Sequence, residues 1–358
     1  MSIKKIAKEA GVSTATVSRV LNNPGYKCSS EELRERIWKI ARELNYMPNE
    51  AARNLKKGIT DTSQKVWYLD VLMTRMGNLE TDPFFSELLR VIESEIHRQG
   101  CILMHIFHQP LFSNDRKCRT ENIDKVIAQM EQDGDIRSDG LIIIGKCNDN
   151  VLKKLSAKYK SIVSVNRNST NYLVDEVICD GKRIAALAVE YLIGLGHRKI
   201  GYVGDCHNES RYKGYQDTLF HYGIDMDISY VIEAEHTEAE GYAVMERLIQ
   251  RGDAPTAIYC ANDMIAIGML KCLNKYKNRY YVPSIISSDD IEEAQYTRPM
   301  LTTVRLPKEE MGKFALYLLI DRLGGGHKGI VRTELEGKLM IRESCTLVEN
   351  ANRMEYYI

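Results

Sequence analysis

No stretch of this 358-residue chain comes near the roughly 18–20 consecutive apolar residues that a membrane-crossing helix needs. The amino terminus, MSIKKIAKEAG, has no apolar centre of the kind a secretory signal carries. Nine cysteines are scattered without a C-x-x-C pair, which argues against a zinc site and describes reduced thiols in a cytoplasmic protein. G-x-S-x-G, H-E-x-x-H and P-loop signatures are all missing. GGGHKG, from Gly324 to Gly329, matches G-x-G-x-x-G in letters only. Helix-like sequence precedes it and strand-like sequence comes after, the reverse of a dinucleotide site, so it reads as a flexible crossover. His105 and His108 in HIFH have no clustered third ligand for a metal. A dehydrogenase or sugar kinase would need a phosphate-cradling glycine loop, and a transport receptor would need a signal. Neither class is favoured.

What is present begins with charge. The net charge is zero, yet residues 1–58 hold twelve Lys or Arg against six Glu, and the rest of the chain carries the compensating excess of acid. A small basic module on a larger acidic body is the footprint of a polyanion-binding head. The length suits two or three domains.

Within IKKIAKEAGVSTATVSRVLNN, Ile3, Ile6, Ala7 and Ala10 recur at helical spacing and give a first amphipathic helix, and Gly11 sits where a helix end favours a left-handed residue. Ser13 can cap a second helix from Thr14 to about Leu21, with Val17, Val20 and Leu21 inward and Ala15, Arg19 and Asn22 on the opposite stripe. Two short helices about a glycine turn form a helix-turn-helix whose second helix enters the major groove. Small residues allow close approach to the groove. Hydroxyls at Ser13, Thr16 and Ser18 suit phosphates, and Arg19 suits a bidentate guanine contact. Thr14 and Ala15 would touch bases through apolar or single hydrogen-bond contacts. In SSEELRERIWKIARELNY, Ser29 and Glu32 read as a capping box, and Leu33, Ile37, Ile40, Ala41 and Leu44 close a three-helix core. MPNEAARNLKKG then offers a short helix, too short to persist undocked, with Asn49 as cap and Leu55 as an exposed apolar end.

From Lys65 onward, apolar strand-like runs (KVWYLDVLM, CILMHIF, GLIIIG, SIVSVN, KIGYVG, AIYCAN, SIISSDD) alternate with amphipathic helical segments. That pattern predicts parallel sheets covered on both faces, in two similar α/β subdomains with a ligand cleft between them. Binding residues belong at strand carboxyl ends: Asn166, Asn262, Asp263, Asp289 and Asp290, with Phe84 and Phe85 able to face a sugar ring. A strand-end Asn or Asp serves equally well as a helix cap, and Asp263 reads as the cap of a helix starting at Met264.

IAKEAGVSTATVSRVLNN, RIWKIARELNYMPNEAARNL and the order of the strand-like and helical segments after them resemble the lactose/galactose repressor family of bacterial transcription regulators, over almost the whole chain. The resemblance implies a helix-turn-helix headpiece (1–47), a hinge helix and linker (48–63), a periplasmic-binding-protein-like core of two doubly wound parallel sheets (64–345) and a tail (346–358). The core would cross between subdomains near residues 166, 293 and 325, giving about 64–165 plus 294–324 and about 166–293 plus 325–345. It implies a homodimer, with tetramers left open, reading an inverted-repeat operator in double-stranded DNA. Thr14, Ala15 and Arg19 would read bases, Asn49, Ala52 and Arg53 would belong to the hinge contacts, and Leu55 would wedge the minor groove. Arg211 in ESRYKGYQDTL and Asp289 in SSDDIEEAQYTRPMLTTV map to effector-binding positions, with Phe84, Phe85, Asn166 and Asn262 at further pocket positions. The expectation is a cytoplasmic repressor of carbohydrate-utilisation genes, with no cofactor, relieved by a sugar-like effector. Control by a protein corepressor or a non-sugar metabolite stays open. Ser287–Ser288 in place of a glycine–aromatic pair, Asp82 in place of asparagine, and RMGNLET depart from the family pattern.

Overall fold

The first helices form because their apolar residues fall on one face and their ends are closed by local hydrogen bonds. In the computed structural model, α1 (Ile3–Ala10), α2 (Thr14–Asn22) and α3 (Glu31–Glu43) bury Ile6, Ala7, Ala10, Val17, Val20 and Ile37 together. Gly11 has φ 66°, and with it the Gly11 and Val12 amides donate back to the Lys8 and Ala7 carbonyls, closing α1 in a Schellman turn. Ser13 caps α2, accepting the Thr16 amide at 3.1 Å. Ser30 caps α3, its Oγ accepting the Leu33 amide at 3.2 Å, and Ser29, expected in that role, lies outside the described residues. Arg36 on α3 donates to the Ala10 carbonyl at 2.8 Å, a cation at the carboxyl end of α1 where the helix dipole favours it.

Described residues are 3–22, 30–43, 66–75, 82–113, 117–131, 138–166, 170, 173–207, 209–276 and 281–350. The chain divides into two units, Met1–Lys65 and Val66–Ile358. In the second unit the strands are β1 (Tyr68–Met73), β2 (Ile102–His108), β3 (Gly140–Ile144), β4 (Ser161–Asn166), β5 (Asp175–Ile178), β6 (Ile200–Gly204), β7 (Val231–Glu233), β8 (Ala257–Cys260), β9 (Ser284–Asp289), β10 (Thr302–Arg305), β11 (Arg332–Glu334) and β12 (Lys338–Met340). Helices include α4 (Pro83–Arg98), α5 (Ile123–Glu131), α6 (Asp149–Ser156), α7 (Gly181–Gly194), α8 (Ser210–His221), α9 (Glu238–Ile249), α10 (Asp263–Tyr276) and α11 (Lys308–Leu323).

Two six-stranded sheets result, in the orders β11-β5-β4-β3-β1-β2 and β12-β10-β9-β8-β6-β7, parallel throughout except where β12 pairs with β10. The central strands β1, β3, β4, β6 and β8 are buried almost along their full length, as sheets covered on two sides require. The crossings between sheets differ from those expected near 166, 293 and 325. β5 pairs with β4 in the first sheet, so the chain first crosses near 179–180. β10 pairs with β9 in the second sheet, and α11 returns to pack on β3, β4 and β5, so the second crossing lies near 306–307. β11 pairs with β5, and the third crossing falls near 335–337. β5 itself is absent from the strand-like runs read in the sequence. Asp175 and Glu176 make β5 look polar, whereas both are buried and paired.

The Gly324–Gly329 segment is also not a free crossover. Arg322 makes a bidentate pair with Asp175 at 2.5 Å for each contact, and His327 bridges Asp175 and Asp321 at 2.9 and 2.5 Å. These bonds pin the loop against the first sheet. The first residues of the expected tail are held against the second sheet and its helix α7. The Thr346 amide donates to Ser284 Oγ, the Val348 amide donates to the Leu195 carbonyl, and buried His197 lies 3.0 Å from the Thr346 carbonyl.

Candidate effector cleft and DNA-reading helix

In each sheet the strand order reverses beside its first strand, between β1 and β3 in one and between β6 and β8 in the other. Carboxyl ends at such reversals are where open α/β sheets bind ligands. The second reversal carries Arg211, fully buried on the first turn of α8. Gly181 permits this: a Cβ there would lie 2.0 Å from Ser210 Oγ and 3.3 Å from Arg211 Cγ, so only glycine lets the starts of α7 and α8 close together.

Glu209 takes the guanidinium edge-on. Its Oε1 accepts Arg211 Nε at 3.0 Å and its Oε2 accepts Nη2 at 2.9 Å, while Nη1 donates to the Ala261 carbonyl at the end of β8. Burial opposes the arginine's charge, but Glu209 outweighs it and Asp289 adds to it, so Arg211 is held above the usual guanidinium range.

Asp289 closes β9 with φ 121°, and Asp290 follows with φ 49°. Two successive non-glycine residues in left-handed backbone need outside support. The Asp290 carboxylate accepts Arg305 Nε and Arg342 Nη2, each at 2.5 Å, and its carbonyl accepts Lys308 Nζ at 3.0 Å. Lys308 also pairs with Glu87 on α4 at 2.5 Å and lies 5.8 Å from the Phe84 ring centroid. One ammonium thus joins the helix carrying the expected aromatics to the turn carrying Asp289. Phe84 and Phe85 meet edge to face, centroids 5.2 Å apart at 81°, on the first turn of α4. Asp82 caps that helix, accepting the Phe84 and Phe85 amides at 3.0 and 3.4 Å, the work an asparagine would do there.

Asn262, and not Asp263, caps the helix that follows β8. The Asn262 Oδ1 accepts the Ile265 amide at 3.1 Å, making Asn262 the cap of α10, and its Nδ2 donates to the His236 carbonyl at 3.3 Å. Both polar ends of Asn262 are engaged. Asp263 instead turns into the sheet and accepts from Ser287 Oγ at 2.5 Å, Thr303 Oγ1 at 2.6 Å and the Ile291 amide at 2.8 Å. Burial, then the charge of Asp289, pushes its carboxyl up to about 7 against those three donors. Asn166 ends β4 in the first sheet, half-buried. Lys308 and the clamp on Asp290 had no local signature in the sequence, because their partners come from other elements, and Glu209 had none because a cap residue lies outside the helical repeat. His105, weighed as a metal ligand, lies 3.1 Å from the buried Asp70, which Ser138 and Tyr159 also contact. Among the described residues no group of three or more His, Cys, Asp or Glu is arranged to hold a metal ion.

On α2, Thr14 and Arg19 are exposed, and Ser13 and Thr16 hydroxyls lie 2.9 Å apart at its start. The side chains of Ala15, Ser18 and Asn22 lie outside the described set, as do the hinge residues Asn49, Ala52, Arg53 and Leu55. Among the described residues no helix is long and apolar enough to cross a membrane.

Comparison with known proteins agrees with this architecture. Residues 2–49 match the family described as bacterial regulatory proteins, lacI family, and residues 189–345 match the periplasmic binding protein-like domain. The HTH-type transcriptional repressor MelR of Bacillus subtilis is 31% identical, with 96% of this chain and 97% of that protein covered. The HTH-type transcriptional repressor PurR of Mannheimia succiniciproducens is 30% identical, with 96% and 98% covered. A solved complex of the transcriptional regulator CelR with cellobiose shares the fold, with TM-score 0.66, 24% identity and coverage of 96% of this chain and 100% of that one. A basic helix-turn-helix head, a two-sheet body and relatives that are transcriptional repressors along nearly their full length lead to one conclusion: this chain is a DNA-binding transcriptional regulator of the LacI family.

Proposed function

We propose that the protein represses carbohydrate-utilisation genes and is relieved by a sugar or sugar derivative bound between its two sheets. The observation that carries this reading is buried Arg211 at the carboxyl edge of the second sheet, within electrostatic reach of Asp289, with the helix that bears Phe84 and Phe85 tied to the Asp289–Asp290 turn through Lys308. A guanidinium donates to hydroxyl oxygens, a carboxylate accepts their protons, and an aromatic face covers the C–H surface of a ring. Solved LacI-type regulators hold cellobiose, ribose or sucrose, which supports a saccharide here.

On this reading a cytoplasmic homodimer sets two α2 helices into half-sites of an inverted repeat. Thr14, Ala15 and Arg19 face bases, Ser13, Thr16 and Ser18 face phosphates with Asn22 beside them, and Asn49, Ala52, Arg53 and Leu55 form the hinge contacts. Effector binding alters how the paired bodies hold the hinges, and so the operator affinity. The switch needs the effector to prefer one state; moving the population from 1:99 to 99:1 takes about 10⁴-fold preference. Purified protein is titrated with a panel of neutral mono- and disaccharides while the unfolding midpoint and operator binding are monitored. A sugar that raises the midpoint and releases the operator is expected. A panel that moves neither measurement overturns the sugar reading.

A further inference from the structure

Resting on the assignment of this cleft to an effector, we propose that Glu209 sets the charge class of that effector, restricting it to uncharged polyols. A guanidinium has five N–H donors. Glu209 accepts the two on the Nε–Nη2 edge, and the Ala261 carbonyl accepts one from Nη1. By count, one hydrogen on each terminal nitrogen is left for a ligand. The edge that would grip a ligand carboxylate side-on is filled by the chain's own carboxylate, in the bidentate arrangement that Arg–carboxylate pairs favour.

The hydrogens left on Nη1 and Nη2 could still meet a carboxylate end-on, so the selection rests on charge. Arg211 is 0% and Glu209 is 2% exposed, so the pair is neutralised away from water. A ligand anion approaching the remaining donors would meet Glu209 and Asp289 at close range, where like charges repel strongly because the medium screens them little. A hydroxyl carries no such penalty, and it can accept from Arg211 while donating to an acid. Arg75, at the carboxyl end of β1 in the first sheet, lies 4.0 Å from Glu209 Oε2. Its side chain passes over Gly145, where a Cβ would sit 3.0 Å from Arg75 Cγ. Glu209 therefore stands between arginines from both sheets. With its charge removed, Arg211 loses its paired carboxylate and Arg75 an acid 4.0 Å away, and a ligand carboxylate could take that part.

The test compares wild type with Glu209→Gln in the full-length protein, using unfolding-midpoint titrations with D-glucose and D-glucuronate and with D-galactose and D-galacturonate. Neither uronate should bind wild type better than its parent sugar, and Glu209→Gln should gain at least about tenfold in uronate affinity. Adding Arg211→Met should erase that gain. A merely structural role for Glu209 would weaken neutral and acidic sugars alike and would not reverse their order. Wild type preferring a uronate, or Glu209→Gln gaining none, overturns the proposal. If no neutral sugar, including cellobiose, ribose and sucrose, affects wild type, the sugar reading above fails, while the gain in Glu209→Gln still decides this one. Should Glu209→Gln not fold, Glu209→Ser, which keeps an acceptor at the helix start, takes its place, and the wild-type uronate-to-parent ratio is a decisive arm by itself.

Discussion

Asp263 at the start of α10 accepts a hydrogen bond from Thr303 on β10 at 2.6 Å, forty residues along the chain and beneath the cleft edge. Burial and the nearby charge of Asp289 raise this carboxyl from 3.8 to about 7. The folded chain therefore keeps a proton that the unfolded chain has already released. Stability from this source is complete below about pH 4 and is lost as pH rises through about 7. Asp263→Asn cannot titrate, so the unfolding midpoint should lose this downward slope in the variant. An unchanged slope would assign the pH dependence to another group.

His197 tilts the curve the other way. Burial lowers its pKa, and its ring contacts Thr256, Ser284 and the Thr346 carbonyl at 2.9 to 3.1 Å. The unfolded chain takes up the proton more readily, so this contribution is present above the ordinary pKa of 6.5 and declines as pH falls toward the lowered value. His197→Gln should remove the acid-side decline and loosen the carboxyl-terminal segment, read as faster amide exchange at Thr346 and Val348.

Arg211→Ala should abolish the response to any stabilising sugar while sparing operator binding, because it removes the remaining donors and strips buried Glu209 of its bidentate partner. Breaking such a pair costs about 3–5 kcal/mol, so a lower unfolding midpoint should accompany the lost response. Gly181→Ala should give a similar but milder pattern by displacing the start of α8. A normal titration in Arg211→Ala would remove this residue from the pocket.

Gly11→Ala isolates a backbone effect. No atom lies within 4 Å of the added Cβ, so the cost is the left-handed conformation alone, roughly 1–2 kcal/mol. The head should melt earlier while the body's transition stays in place. Equal shifts of both would contradict a turn-specific effect.

The head was legible in sequence because its determinants are local. Ile6, Ala10, Val17, Val20 and Ile37 repeat at helical spacing, and Gly11 and Ser13 punctuate them. The apolar strands were legible for the same reason. What escaped depends on contacts far along the chain. β5 looked polar because the partners of Asp175, at Arg322 and His327, are about 150 residues away. Which of Asn262 and Asp263 caps α10 is decided by Ser287, Ile291 and Thr303, not by the two residues themselves. Arg211 was singled out through family resemblance alone and Asp289 also by its place at a strand end; Glu209, two residues before Arg211, carries no helical-face signal, because residues i and i+2 do not share a helix face. Their pairing arises only because Glu209 lies outside the helix as its cap.

The central claim, that α2 reads DNA sequence through Arg19, is tested by competition binding of the full-length protein to an operator recovered from bound genomic fragments, against a scrambled duplex. Wild type should prefer the operator by about 10³-fold or more, and Arg19→Ala should lose about 1–3 kcal/mol on the operator and little on the scrambled duplex. Equal affinity of wild type for both duplexes, or equal losses on both in Arg19→Ala, would contradict it.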